Sequence, residues 1–324
     1  MTPAPNLDTI KEAQSRLQGV IHNTPLRTTR SGPLPQGTEL RLKPENLQVT
    51  GSFKIRGAYN KVASLVEQSH RTGKPLLGVV TASSGNHGQA VAWAARHFGL
   101  AARIVVPETA PKAKTEAITG YGATVECCGT TSQARLDRAK AIAEEDGFIF
   151  VPPYDDDYVM SGQGTIGLEI LTEWPEVDVV LVPIGGGGLI SGIATAIKAV
   201  NPDVRVVGVE ALGAPKAFRS RTEGRRIVLD ETDTIADGIK TLSLGHLTYP
   251  IVEALVDRLV TVSDEAIMDA MRWLLFRHKL LVEPSGAATV AAVMGNRDHL
   301  FGSQRIAAVL SGGNMDPSLL RSML

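Results

Sequence analysis

The chain holds 324 residues, 33 basic against 34 acidic, with 43% of them hydrophobic. This length exceeds one simple core and predicts two domains. A formal charge of −1 leaves no basic excess to neutralise a phosphate backbone, which sets nucleic-acid binding aside. Met1 to Gln14 carries no apolar run, so no secretory signal is expected there. The longest apolar stretches, such as Val177 to Ile184, are strand-length and fall far short of a membrane span. The two cysteines, Cys127 and Cys128, are adjacent and form no disulfide framework, which fits a reducing, cytoplasmic compartment. They read as strand-borne thiols packed as small apolar groups.

Short β-branched runs alternate with amphipathic stretches along most of the chain. Leu77–Thr81, Arg103–Val106, Thr124–Cys127 and Phe148–Val151 read as strands, with helices near Gly88–Phe98, Ala113–Gly120 and Ser132–Asp146 between them. Asp178–Pro183, Arg205–Glu210, Arg258–Val262 and Arg305–Leu310 continue the series. Each strand is a near-continuous apolar run, as expected where both faces of a parallel sheet are covered. The fold class is therefore α/β, with mainly parallel twisted sheets flanked by helices and two interleaved domains. A smaller domain is expected at 76–148, inserted in a larger one formed by 1–75 and 149–324. A single large doubly wound sheet is the alternative on length alone.

Four segments carry chemistry. In Thr50-Gly-Ser-Phe-Lys54-Ile-Arg-Gly57, Lys54 opens an apolar-periodic helix running from Ile55 to Val66. A cation there opposes the helix dipole and calls for a reason. An amine in a partly desolvated pocket sheds its proton more readily and forms a Schiff base with an aldehyde. Taken alone, a lysine in a first turn is ordinarily a solvated surface charge. The second segment, Thr81-Ala-Ser83-Ser84-Gly-Asn86-His87-Gly-Gln89, is a strand-to-helix turn dense in small donors. It suits a carboxylate ligand and offers Ser84 for proton transfer, although His87 by itself would serve as a structural cap. No Gly-x-Ser-x-Gly elbow and no metal-ligand spacing accompany it. In the third segment, Gly185, Gly186, Gly187 and Gly188 follow a buried strand and lead into a helix from about Leu189. Inward-turned N–H groups and the dipole make this a phosphate nest. It is neither a Walker loop nor a dinucleotide fingerprint. The fourth, Leu310-Ser311-Gly-Gly-Asn314, places a neutral hydroxyl at the C-terminal edge of the last strand.

In this order the four segments resemble the fold-type II pyridoxal-phosphate enzymes, the tryptophan synthase β-like fold. The nearest branch is that of serine racemase and the short serine/threonine dehydratases, and the likeness runs from about Thr24 to Asn314. It implies pyridoxal 5'-phosphate anchored on Lys54 with Phe53 packed beside it, Asn86 at the ring hydroxyl and Gly185 to Leu189 on the phosphate. Ser311 would face the pyridine nitrogen. Ser83, Ser84, Asn86 and His87 would meet the substrate carboxylate, with Ser84 opposite Lys54 across the cofactor plane. The implied activity is an ammonia-lyase (dehydratase) that converts a β-hydroxy amino acid into a 2-keto acid and ammonia by α,β-elimination. Ser311 is neutral and cannot hold a pyridinium charge, which favours expulsion of the β-group. Lys54 and Ser84 would equally serve a serine or aspartate racemase. A third reading is a phosphate-sensing module that uses only the glycine turns.

Three departures accompany the resemblance. Glu210 and Ala214 match positions that hold a divalent cation in the racemase branch, but Lys216 replaces the second acid, so no metal is expected. Tyr154 stands where racemases carry an asparagine. Arg135 matches an arginine that can meet a second substrate carboxylate, which points towards 3-hydroxyaspartate; phenylserine is a further β-substituted option. Relatives imply a homodimer acting on a small molecule, with no membrane partner. The chain ends ten residues after Asn314, so a C-terminal regulatory domain is not expected.

Overall fold

The apolar runs become strands of two sheets in the computed structural model of the protein, which describes residues 4–29, 32–295 and 304–323. In chain order the strands are β1 (Arg27–Thr28), β2 (Glu39–Pro44), β3 (Gly78–Ala82), β4 (Ala101–Val106), β5 (Thr124–Cys127) and β6 (Ile149–Phe150). Then follow β7 (Val179–Pro183), β8 (Arg205–Ala211), β9 (Arg258–Val262) and β10 (Arg305–Leu310). One sheet runs β1-β2-β10-β7-β8-β9 and the other β5-β4-β3-β6. Among these pairings only β1 with β2 is antiparallel. The second sheet is contiguous in sequence and interrupts the first. Its last strand, Ile149–Phe150, lies just past residue 148.

Both faces of each sheet are covered, and β7 shows why the sequence has no polar alternation there. Val179 and Leu181 point into one core with Ile267, Met271 and Val290, while Val180 and Val182 point into the other with Ile166, Ile190 and Ile193. In the second sheet Val79 and Ile104 pack on one side, Val80 and Val105 on the other. The helices that supply these faces are α1 (Leu7–Leu17), α2 (Lys54–Thr72), α3 (Asn86–His97), α4 (Lys112–Gly120), α5 (Ser132–Asp146) and α6 (Asp157–Glu173). They are followed by α7 (Gly188–Val200), α8 (Lys216–Glu223), α9 (Thr248–Leu255), α10 (Asp264–Trp273), α11 (Pro284–Gly295) and α12 (Pro317–Met323). No helix among the described residues is long and apolar enough to cross a membrane.

Two elements differ from the sequence reading. Cys127 ends β5 at the sheet edge and is exposed, and Cys128 lies one residue past the strand and is only half-buried. The strand-borne apolar packing expected of both thiols is thus absent at Cys127, because an edge strand leaves its outer side chains to solvent. Leu77, expected to open a strand, lies before β3 and is exposed.

The helix pair α6 and α7 crosses very closely. A Cβ on Gly192 would sit 2.1 Å from the Met160 carbonyl oxygen and 2.6 Å from the Gly164 nitrogen. Neither backbone can yield cheaply, so Gly192→Ala should destabilise the protein by about 1–3 kcal/mol through overpacking. Chemical denaturation checks this, and an unchanged midpoint would contradict the crossing.

Candidate active site

Three strands deliver the sequence-predicted segments to their C-terminal ends, where open α/β sheets bind ligands. β10 ends at Leu310 beside Ser311, β7 ends at Pro183 ahead of the glycine turn, and β3 ends at Ala82 ahead of Ser83. Lys54 is brought to this edge by pairing rather than by a strand of its own. Ser52 bridges Gly312, the Phe53 N–H donates to the Ser311 carbonyl at 3.0 Å, and the Gly313 N–H donates to Gly51 at 2.9 Å. The segment before α2 is thereby zipped onto the segment after β10.

Lys54 is the first residue of α2, whose N-cap Phe53 makes no side-chain cap. The residue as a whole is half-buried; its amine lies 5.1 Å from the Phe53 ring centroid and donates to the Pro153 carbonyl at 2.6 Å. Burial pushes it down to about 8, against an upward pull from the Glu283 carboxyl. A neutral amine is therefore accessible near neutral pH, as a nucleophile towards an aldehyde needs. Two residues on, Arg56 is fully buried and fixes this first turn. Its guanidinium donates to Glu45 at 2.8 and 2.9 Å, to Glu169 at 2.6 and 2.9 Å and to Thr165 at 3.0 Å.

The glycine turn is shaped by Tyr154. A Cβ on Gly186 would lie 2.4 Å from the Tyr154 ring, and one on Gly188 would lie 2.8 Å from its Cβ. Gly187, with φ of 96°, takes the left-handed conformation that starts α7 without any side-chain cap. Thr248 Oγ1 donates to the Gly186 carbonyl at 2.6 Å and also accepts from the Gly245 N–H at 2.9 Å. The carbonyl is held back, while the first-turn N–H groups of α7 are left for an anion.

On the third side, α3 starts at Asn86 behind Gly85 with no side-chain cap. Asn86 Nδ2 donates to Glu283 at 2.9 Å, and Asn86 Oδ1 accepts from Asn314 Nδ2 at 2.7 Å. His87 is buried, and its Nε2 lies 3.0 Å from the Val151 carbonyl. Since a carbonyl only accepts, Nε2 carries the proton. Burial foremost, with the Lys54 charge second, lowers His87 to about 3, so the ring is neutral in the physiological range. Ser83 and Ser84 are half-buried, and Ser83 Oγ accepts the Gly85 N–H at 3.4 Å. Burial raises Glu283 to about 7, opposed by the Asn86 hydrogen bond. The sequence reading missed this carboxyl, which stands alone before Pro284 with no motif around it.

Two residues singled out in the sequence do not line the space between these groups. Arg135 turns back on the start of α5, donating to the Thr130 carbonyl at 3.3 Å and to Ser132 Oγ at 3.0 Å. Lys216 is fully buried, 3.0 Å from Glu210 Oε1, and donates to the Ala214 carbonyl at 3.2 Å.

An amine that sheds its proton near neutral pH and a glycine nest opening at the same sheet edge together suit a phosphorylated aldehyde. Small neutral groups frame the space between, and that combination defines a lysine-anchored cofactor enzyme. The chain belongs to the family described as pyridoxal-phosphate dependent enzymes, whose model matches residues 17–312. An L-threonine ammonia-lyase of Thermotoga maritima is 45% identical over 97% of this chain and 77% of its own length. A serine racemase of Arabidopsis thaliana is 44% identical over 97% of this chain and 94% of its own. The solved structure of maize serine racemase superposes with a TM-score of 0.92 at 40% identity, covering 99% of this chain and 97% of that one. The protein is a fold-type II member of the serine/threonine branch and depends on pyridoxal phosphate.

The link between Lys54 and Glu283 is directly measurable. In the apo-protein, the pH dependence of Lys54 arylation should have a midpoint near the amine's value of about 8. Because the Glu283 carboxylate pulls that value up, Glu283→Gln should move the midpoint to lower pH. An unchanged or higher midpoint would contradict the pairing.

Proposed function

We propose that the protein is an ammonia-lyase that eliminates water from a β-hydroxy amino acid and releases a 2-keto acid and ammonia. The observation that carries this is the Lys54 amine, lowered by burial to about 8 beside the glycine nest. The bound cofactor supplies an electron sink conjugated with the substrate α-carbon. Lys54 would anchor the cofactor, and its neutral amine would be the group that takes the substrate α-proton. Phe53 would pack beside the ring, Asn86 would hold the ring hydroxyl, and Ser311 would face the ring nitrogen as a neutral partner. Gly185 to Leu189 would hold the phosphate through N–H groups at the start of α7. The uncapped start of α3, with Ser83, Ser84, Asn86 and neutral His87, receives the substrate carboxylate. We take 76–148 as a domain of its own that carries these carboxylate-binding residues over Lys54.

Serine and threonine are the proposed first substrates, supported by 45% identity to a threonine ammonia-lyase. The Arg135 guanidinium is engaged at its own helix start, so 3-hydroxyaspartate would require its release; phenylserine is retained in the substrate panel. The second reading, a serine or aspartate racemase using Lys54 and Ser84 from opposite faces, is favoured by 44% identity to a serine racemase.

Holoenzyme incubated with L-serine, L-threonine, 3-hydroxyaspartate and phenylserine should release keto acid faster than the D-isomer accumulates, as read by hydrazone formation and chiral chromatography. Faster D-isomer formation would transfer the assignment to the racemase. Lys54→Ala should lower turnover by at least about 10²-fold, the scale of a lost general base. Full turnover in that variant would refute the role of Lys54.

A further inference from the structure

Lys216 is among the largest fully buried side chains of the protein, and the proposed chemistry makes no use of its charge. Its Nζ donates to the Ile184 carbonyl at 2.6 Å, the Ile239 carbonyl at 2.9 Å and the Ala214 carbonyl at 3.2 Å, with Glu210 Oε1 at 3.0 Å. Four oxygens from three chain segments thus converge on one ammonium. Glu210 is fixed in turn, because its two oxygens accept the Ala217 and Phe218 N–H groups at 2.9 and 2.8 Å. An ion pair of this depth stabilises a fold little better than apolar packing of the same volume. Its location suggests another use.

Ile184 immediately precedes the glycine turn. In a planar trans peptide the carbonyl of one residue and the N–H of the next point in opposite directions. Drawing the Ile184 carbonyl onto Lys216 therefore aims the Gly185 N–H away from it. The Ile239 carbonyl belongs to the turn Asp237–Ile239, which lies against the same glycine. A Cβ on Gly185 would be 3.0 Å from the Gly238 carbonyl oxygen. Gly238 is pinned from behind by Ser285, whose Oγ accepts its N–H at 2.8 Å. Without a cation between them, the converging carbonyl dipoles and the Glu210 carboxylate would repel, and the glycine turn would lose its backing.

We propose that the Lys216 ammonium is a built-in cation that holds the glycine turn in its phosphate-binding shape, so that cofactor retention needs no dissolved cation. Lys216 is a positioning residue here, acting through the Ile184 carbonyl on the Gly185 amide. The inference rests on the reading that this turn receives the cofactor phosphate.

The test is pyridoxal-phosphate affinity, followed by absorbance on the full chain, in tetramethylammonium, ammonium or potassium chloride at equal ionic strength. The native protein should bind equally in all three. Lys216→Ala should bind at least about tenfold more weakly in tetramethylammonium, the scale for losing a group that orients a ligand-holding one. Ammonium or potassium, small enough to enter the vacated space, should restore most of the loss. Native-like affinity of Lys216→Ala in tetramethylammonium would overturn the proposal. So would a loss that no cation reduces in a Lys216→Ala protein with native circular dichroism, or affinity of the native protein that falls when small cations are removed. Should the alanine variant fail to fold, Lys216→Met replaces the lysine at similar volume. It should lose affinity that no cation restores, and native-like binding would overturn the idea. Failure of the native protein to bind the cofactor would instead sink the functional reading.

Discussion

Lys54 occupies the first turn of a helix, where the dipole disfavours a cation, and burial adds a second penalty on the charged form. Two groups oppose that penalty. The Pro153 carbonyl accepts a hydrogen bond from the amine at 2.6 Å, and the Glu283 carboxyl pulls upward against the burial that lowers the amine to about 8. Without them, the balance would shift further towards the neutral amine. With them, both protonation states lie within reach of neutrality. An amine that must attack an aldehyde and later accept a proton from carbon requires that access to both states. Glu283, raised to about 7 by burial, is a natural companion, since its charge acts on the Lys54 amine.

Such a site needs a rigid frame, and buried ion pairs and hydrogen bonds around it supply one. Arg56 ties the first turn of α2 to Glu45 and Glu169, and Lys43, itself fully buried, meets Glu169 at 2.5 Å. Removing one member would strand a buried charge, which costs about 3–5 kcal/mol, so the network fixes geometry more than it adds net stability. The glycine turn is held by Tyr154 packed over it, by Thr248 on the Gly186 carbonyl and by Lys216 on the Ile184 carbonyl. The tyrosine explains why glycine is needed at 186 and 188, since any side chain there would enter its ring or its backbone.

The sequence was most readable where one physical requirement acts alone. Val179–Pro183 must be apolar throughout because both of its faces are covered, and its place in the sheet follows from that pattern. The glycine turn stands out because few other structures need four glycines in a row. β2 was hidden, since Glu39-Leu-Arg-Leu-Lys-Pro carries three charges, and the buried one, Lys43, meets its carboxylate partner Glu169, 126 positions along the chain. Glu283 was hidden for the same reason: its meaning comes from Asn86, which lies 197 positions away. The resemblance marked Lys216 as the residue standing in for an acid near Glu210, but its contacts to Ile184 and Ile239 are set by tertiary packing and have no local pattern.

Borohydride reduction of the cofactor-loaded protein, followed by peptide mapping, tests the central claim most directly. The account predicts one phosphopyridoxyl group, carried on the peptide that contains Lys54. A label on Lys216, Lys114 or any other lysine, or no label after cofactor loading, would contradict it.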